Sequence, residues 1–148
     1  MIREATPSDV DQLTELAVLL YPDSPVLELR AEFEFFTRSG AQTCFLAYPD
    51  DEAHPEAVGF THVAMRTDYV EGTQTSPVGY LEAVYVLKAY RLQGYGQRLV
   101  AASEEWARAK GAVEFASDCL LDNKDSYEFH MKCGFKEANR IISFTKDI

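Results

Sequence analysis

The chain has 148 residues, 47% hydrophobic and 26% charged, with a formal net charge of −10. That length predicts one domain over residues 1–148, large enough to bury a core without metals or disulfides. The acidic balance disfavours nucleic acid and anionic membrane as partners, and it favours a cationic substrate if acids converge on a pocket.

Residues 1–5 read as a short edge strand. Thr6-Pro7-Ser8 then open a helix, with Ser8 as N-cap and Asp11 at capping-box spacing. Val10, Leu13, Leu16, Ala17 and Leu20 share one face of it, and Tyr21-Pro22-Asp23 end it. Ser24 caps a second helix with Pro25 at its first position; Leu29, Phe33 and Phe36 form its apolar stripe. The loop between the two helices carries Tyr21 and either arches over the mouth of a site or simply packs.

Residues 43–48 and 57–66 form a hairpin around an acidic turn at 49–55. His62 reads as a histidine on a sheet face rather than a catalytic one. The polar loop 68–77 carries Tyr69 and leads into a strand at 80–87. A helix follows at 96–110, with Leu99, Val100, Ser103, Trp106 and Ala107 inward and Gly111 as its C-cap. The next strand, 112–118, is expected to lie parallel to the one at 80–87 through a right-handed crossover. A helix at 123–133 and one or two antiparallel strands in 135–146 complete an α/β (α+β) domain with a mixed sheet and helices on both faces.

The chain is organised around residues 80–100, YLEAVYVLKAYRLQGYGQRLV. A strand, a glycine-bearing turn and a helix start together make an anion site, because first-turn amides lack partners and the helix dipole favours negative charge. Cys44, Cys119 and Cys133, an odd number without a C-x-x-C pair, read as reduced thiols. With Cys and His scattered, no metal site is expected. The start, MIREATPSDVDQ, holds acids where a signal peptide needs an apolar core, and no apolar run reaches membrane-spanning length, so a cytoplasmic location is expected.

Arg91-Leu92-Gln93-Gly94-Tyr95-Gly96 matches the R/Q-x-x-G-x-G/A signature of the GCN5-related N-acetyltransferases. Asn123, Ser126, His130 and Gly134-Phe135 fall at the spacing of that superfamily's N-x-x-A/S…Y…G-F helix. The chain therefore resembles this superfamily along essentially its whole length. The resemblance implies acetyl-CoA as co-substrate and no metal. It implies that the amides of Leu92, Gln93, Gly94, Tyr95, Gly96 and Gln97 cradle the pyrophosphate, with Gly94 and Gly96 allowing close backbone approach. It also implies that the strand ending near Val86 splays from its parallel neighbour. The pantetheine arm then lies in the gap against the backbone of Val84, Tyr85 and Val86, with Asn123 at its side.

The segment DYVEGTQTSPVGYLEAVYVL, with FASD and GFKEANR, is similar to the chromosomally encoded aminoglycoside 6'-N-acetyltransferases. That similarity places Tyr69, Glu82 and Asp118 at the aminoglycoside site and Tyr21 in the first interhelical loop. It also shows a departure: Asn139 stands where the subgroup has a further acid, with Glu137 nearby. The plainer readings are an exposed strand acid for Glu82, a turn cap for Asp118, and surface packing for Tyr69 and Tyr21. Glu82 between Leu81 and Ala83 on a buried strand favours the functional reading.

In the reaction so implied, a neutral amine attacks the thioester in a ternary complex. Glu82 either takes the ammonium proton or binds the ammonium. His130 stands where the superfamily has the tyrosine that meets the leaving thiolate, and is its proton donor or a spectator. Three functions are open: acetylation of an aminoglycoside 6'-amine, acetylation of a polyamine or protein amine, and non-catalytic acetyl-CoA binding. The alternating apolar end IISFTKDI suits either a homodimer interface, as the subgroup implies, or an ordinary edge strand.

Overall fold

The computed structural model describes residues 1–51 and 53–148; Glu52, within the expected acidic turn, lies outside the described residues. Among the described residues the elements are β1 (Ile2–Glu4), α1 (Val10–Leu20), α2 (Val26–Phe36), β2 (Gln42–Ala47), β3 (Gly59–Arg66), β4 (Val78–Val86), α3 (Tyr95–Ala109), β5 (Phe115–Ser117) and α4 (Lys124–Lys132). The strands form one sheet in the order β1-β2-β3-β4-β5, antiparallel except for the parallel β4–β5 pair. This is the mixed architecture expected from the sequence.

Period-2 alternation distributes the core to the two faces. Cys44 and Leu46 of β2 pack with Leu13 and Leu16 of α1 and Phe33 of α2. Their neighbours Phe45 and Ala47 pack on the opposite face with Tyr95 and Leu99 of α3. The stripe predicted for α3 is buried at Leu99, Val100, Ser103 and Ala107. Thr61 on β3 and Ser103 meet beneath it through their hydroxyls at 3.0 Å, which satisfies two buried polar groups.

Three expectations are corrected. Thr6, not Ser8, is the N-cap where the first helical segment begins, and Asp9 is the N-cap of α1 itself. The Asp9 carboxylate accepts the Thr6 N–H at 2.7 Å, and Arg3 adds a fork to the same carboxylate at 2.7 and 2.8 Å. Arg3's hydrogen bonds, opposed by burial, hold Asp9 well below the usual carboxylate range. Pro7–Asp9 is thus a 3-10 turn ahead of the α-helix.

The second correction concerns β5, which is only three residues long. Glu114 just before it turns its side chain to the preceding loop, accepting the backbone N–H groups of Gln74 and Thr75 at 2.9 and 2.8 Å. The third is the end of the chain: residues 135–148 form no strand. Ile142 and Phe144 there are 81% and 88% exposed. A strand needs a partner edge for its backbone groups, and within the described residues this segment has none.

At Gly79, β4 lies close against Ala107 of α3 and Phe115 of β5. A Cβ there would lie 2.6 Å from Ala107 Cβ and 2.7 Å from the Phe115 ring. Neither neighbour has room to withdraw, so Gly79→Ala is expected to destabilise the fold by about 2 kcal/mol. Urea unfolding with an unchanged m-value checks this.

Candidate active site

β4 carries an irregularity at the residue of most interest. Opposite β3, Thr61 faces Val84 and His62 faces Ala83, but Val63 faces Leu81, so the register passes over Glu82. Two β4 residues thus occupy the space of one, a β-bulge that re-aims the side chain. The Glu82 carboxylate meets Arg66 at the end of β3, accepting from Nε at 2.9 Å and from Nη2 at 2.8 Å. The Arg66 guanidinium lies over the Tyr80 ring, its Cζ 3.4 Å from the centroid. The Tyr80 hydroxyl in turn donates to Asp118, just beyond β5. The two carboxylates expected at an acceptor site, Glu82 and Asp118, are therefore linked through one tyrosine and one arginine.

A cleft of about 260 Å³ opens beside Glu82 under the α1–α2 arch, lined by Tyr21, Ser24, Glu32, Phe36 and His62 among others. Tyr21 is 38% exposed at its edge; desolvation first, then the charges of Glu32, Glu82 and Asp118, raise its hydroxyl pKa. Tyr21 and Glu82 line this cleft, and Asp118 is connected to it through Tyr80 and Arg66. Tyr69 does not join them: it is 78% exposed in the loop before β4. Sequence reasoning missed Glu32 and Arg66. Glu32 has no local signal on an amphipathic helix, and Arg66 is an ordinary strand-end base until the bulge brings Glu82 to it.

β4 pairs with β5 only over Gly79–Leu81, opposite Phe115–Ser117. Beyond that point Val84, Tyr85 and Val86 are half-exposed, and their pairing is with β3 alone. The Val86 carbonyl accepts the Arg91 Nε–H at 2.9 Å.

The following turn holds Leu92 and Gly94 in left-handed conformations, at φ 62° and 83°. Leu92 is 97% exposed, and nothing stands within 4 Å of a Cβ placed on Gly94. α3 makes its first bond from Arg98 N–H to the Gly94 carbonyl at 3.1 Å, so the amides of Tyr95, Gly96 and Gln97 precede the helical ladder. The signature residues are not equivalent. Tyr95 is buried in the core, and Gln97 donates to the Lys132 carbonyl at 3.3 Å. A Cβ on Gly96 would lie 2.8 Å from the Phe129 ring, so that glycine accommodates α4. Gln93 reaches back to the Ala89 carbonyl at 3.2 Å.

α4 contributes two further residues. Asn123 Oδ1 accepts the Ser126 N–H at 3.1 Å and caps the helix, which leaves its Nδ2 for other partners. His130 Nδ1 lies 2.7 Å from the Ser126 carbonyl and therefore carries a proton. Its Nε2 lies 2.8 Å from Ser117 Oγ, which is 3.2 Å from the Leu81 carbonyl at the last paired row of β4 and β5. Glu137 is engaged by Tyr127 and Arg140, and Asn139 donates to Glu71 at 2.8 Å in the loop before β4. Among the described residues no group of three His, Cys, Asp or Glu side chains is placed to hold a metal ion, and no helix is long and apolar enough to cross a membrane.

A family model for the acetyltransferase (GNAT) family matches residues 10–135. The chain belongs to that family. As a GNAT protein it is similar to the aminoglycoside N(6')-acetyltransferase type 1 of Acinetobacter genomosp. 13. Identity is 40% over 133 residues, covering 90% of this chain and 88% of the relative. It is 38% identical over 145 residues to the enzyme of that name from Stenotrophomonas maltophilia, covering 97% and 90% of the two chains. Its fold matches the structure of AAC(6')-Iy in complex with the bisubstrate analog CoA-S-monomethyl-acetylneamine. The TM-score is 0.93 at 32% identity, over 100% of this chain and 98% of that one. The expected fold class and family are therefore both confirmed.

His62 combines with the cleft but is not suited to carry protons. Its ring stacks on Phe36 at 3.9 Å, and its Nε2 lies 2.8 Å from Gln42 Oε1. Burial, with a smaller contribution from Arg66, pushes its pKa down from 6.5 to about 4. The folded protein thus keeps His62 neutral while the unfolded chain takes up a proton as pH falls from about 6.5 towards 4. Stability is lost across that window, by about 2 kcal/mol between pH 7 and pH 5. Unfolding wild type and His62→Gln in urea at both pH values is expected to show this loss in the wild type, with the His62 share of it absent in the variant.

Proposed function

We propose that the chain transfers an acetyl group from acetyl-CoA to the 6'-amine of an aminoglycoside, by direct attack in a ternary complex. The observation that carries the reading is the bulge at Glu82. It sets a carboxylate in the acceptor cleft on the same strand whose far half is left free on its β5 side. The catalytic unit is the whole of residues 1–148.

The chain fits acetyl-CoA. Gly94 offers open, left-handed backbone at the start of α3, where first-turn amides favour a pyrophosphate. The residues that hold the coenzyme in this reading are Leu92, Gln93, Gly94, Tyr95, Gly96 and Gln97 by their backbone, Val84–Val86 along the splayed edge, and the free Nδ2 of Asn123. Backbone N–H groups near Val86 polarise the thioester carbonyl.

Tyr21, Glu82 and Asp118 receive the aminoglycoside, and Tyr69 meets it from outside the cleft, on the exposed loop before β4. Glu82 binds its ammonium and takes one proton, and the neutral amine so formed attacks the thioester carbon. The bond to sulfur then breaks, and the thiolate gains the second proton, which the acetylated nitrogen gives up. His130 acts here through Ser117, because both its ring nitrogens already face protein groups. With three free thiols, Cys44, Cys119 and Cys133, the enzyme suits the reducing cytoplasm.

The experiment is thiol release from acetyl-CoA with kanamycin, tobramycin, spermidine and a peptide. Release with the aminoglycosides is expected, and Glu82→Gln is expected to lower their kcat/KM about 100-fold. Release with spermidine or the peptide alone moves the reading to another amine. No release with any of them would leave an acetyl-CoA-binding module.

We further propose that the protein is a homodimer. Ile141, Ile142 and Phe144 of the strandless C-terminal segment are exposed, as are Leu120 and Leu121 just beyond the edge strand β5. A second copy is the partner that offers matching apolar groups and backbone at such an edge. Sedimentation velocity is expected to give a dimer for the full chain and a monomer after deletion of residues 136–148.

A further inference from the structure

The proposed function leaves one cation unassigned in the acidic cleft. Isolated surface ion pairs contribute little, since two long side chains must be held in one geometry against water. The Arg66–Glu82 pair is built differently. Both guanidinium–carboxylate bonds are formed, at 2.9 and 2.8 Å, which sets the two planes parallel. The guanidinium is itself fixed by stacking on Tyr80 at 3.4 Å. Tyr80 is held in turn by its hydroxyl bond to Asp118. Glu82, passed over in the β3 register, has Arg66 as the group that sets its side chain.

We infer that Arg66 is the positioning residue of the acceptor site. It holds the Glu82 carboxylate in one plane, using one lone-pair position on each oxygen and leaving the other for the incoming ammonium. Through Tyr80 it couples that plane to Asp118, so the two acids present a fixed spacing to a substrate with several amines. Its charge offsets one of the cleft's acids, so that recognition depends on where the carboxylates stand rather than on bulk negative potential. This rests on the acetyltransferase reading above.

The test is a double-mutant cycle in the thiol-release assay with kanamycin, using Arg66→Gln, Arg66→Lys, Glu82→Gln and Arg66→Gln/Glu82→Gln, with folding checked by thermal unfolding. Misplacing a reacting group costs on the order of 100-fold, so Arg66→Gln is expected to lower kcat/KM by about 10- to 100-fold, with most of the loss in kcat. Arg66→Lys keeps the charge without the fork and is expected to stay at least about fivefold below wild type. In the Glu82→Gln background, removing Arg66 is expected to change kcat/KM by less than about twofold, because the group it positions is gone.

The inference is overturned if Arg66→Gln stays within about twofold of wild type, if lysine restores full activity, or if the two losses multiply. Should wild type release no thiol with any amine, the proposed function falls instead. Wild type, Arg66→Gln, Glu82→Gln and the double variant are then compared by calorimetric titration with kanamycin. Loss of affinity in Arg66→Gln but not between the two Glu82→Gln proteins supports the positioning role, and equal losses in both backgrounds refute it.

Discussion

β4 is paired with β3 from Val78 to Val86 except at Glu82, but with β5 over only three rows, and the rest of the molecule is arranged around that inequality. A strand inside a sheet normally has both rows of backbone groups satisfied. Here the row facing β5 is left without a ladder from Glu82 onward. A bulge adds twist and bend to the strand that carries it. The bulge at Glu82 sits one residue past the last row shared with β5, where β4 must part from its neighbour. Ser117 and His130 close the shared end, Arg91 ties down the far end at Val86, and the turn into α3 follows at once. An extended acyl carrier and an amine thus have separate approaches to one strand.

The electrostatics follow from the same geometry. The net charge of −10 is spread over the surface, and most of its ion pairs are exposed ones of small effect. What distinguishes the cleft is order rather than charge. Asp118, Tyr80, Arg66 and Glu82 form a continuous chain of hydrogen bonds and stacking across three strands or their ends. Tyr21 looks onto it from the helical arch, and His62 lines the cleft uncharged, stacked on Phe36. A cationic substrate therefore meets carboxylates whose positions are already set.

Much of this was legible in the residues. The helical stripe of α1, the alternation of β2 and the glycine-bearing turn before α3 are local patterns that burial reinforces, and each element appears within a few residues of its expected place. Glu82 stood out because an acid inside an apolar strand demands a partner. Less was legible where local rules compete. Ser8 and Thr6 both satisfy the chemistry of a cap, and it is the Asp9 carboxylate, held by Arg3, that accepts the Thr6 N–H. Gly94 and Gly96 look alike in the signature, yet one supplies a left-handed turn and the other makes room for the Phe129 ring. The segment 135–148 alternates like a strand and is none within the described residues, because a strand is a property of a pair.

The sequence alone thus determined the mixed architecture and the glycine-bearing turn at the start of α3, and it singled out the carboxylates Glu82 and Asp118 as candidates. All of these depend on residues close together in the chain, or on motifs carrying their own chemistry. Only the tertiary structure decided that the register passes over Glu82, that Arg66 holds it, that Tyr80 connects it to Asp118 and that Glu32 shares the cleft. Those contacts join residues 14 to 50 positions apart, and no local pattern encodes which side chains a bulge will bring face to face.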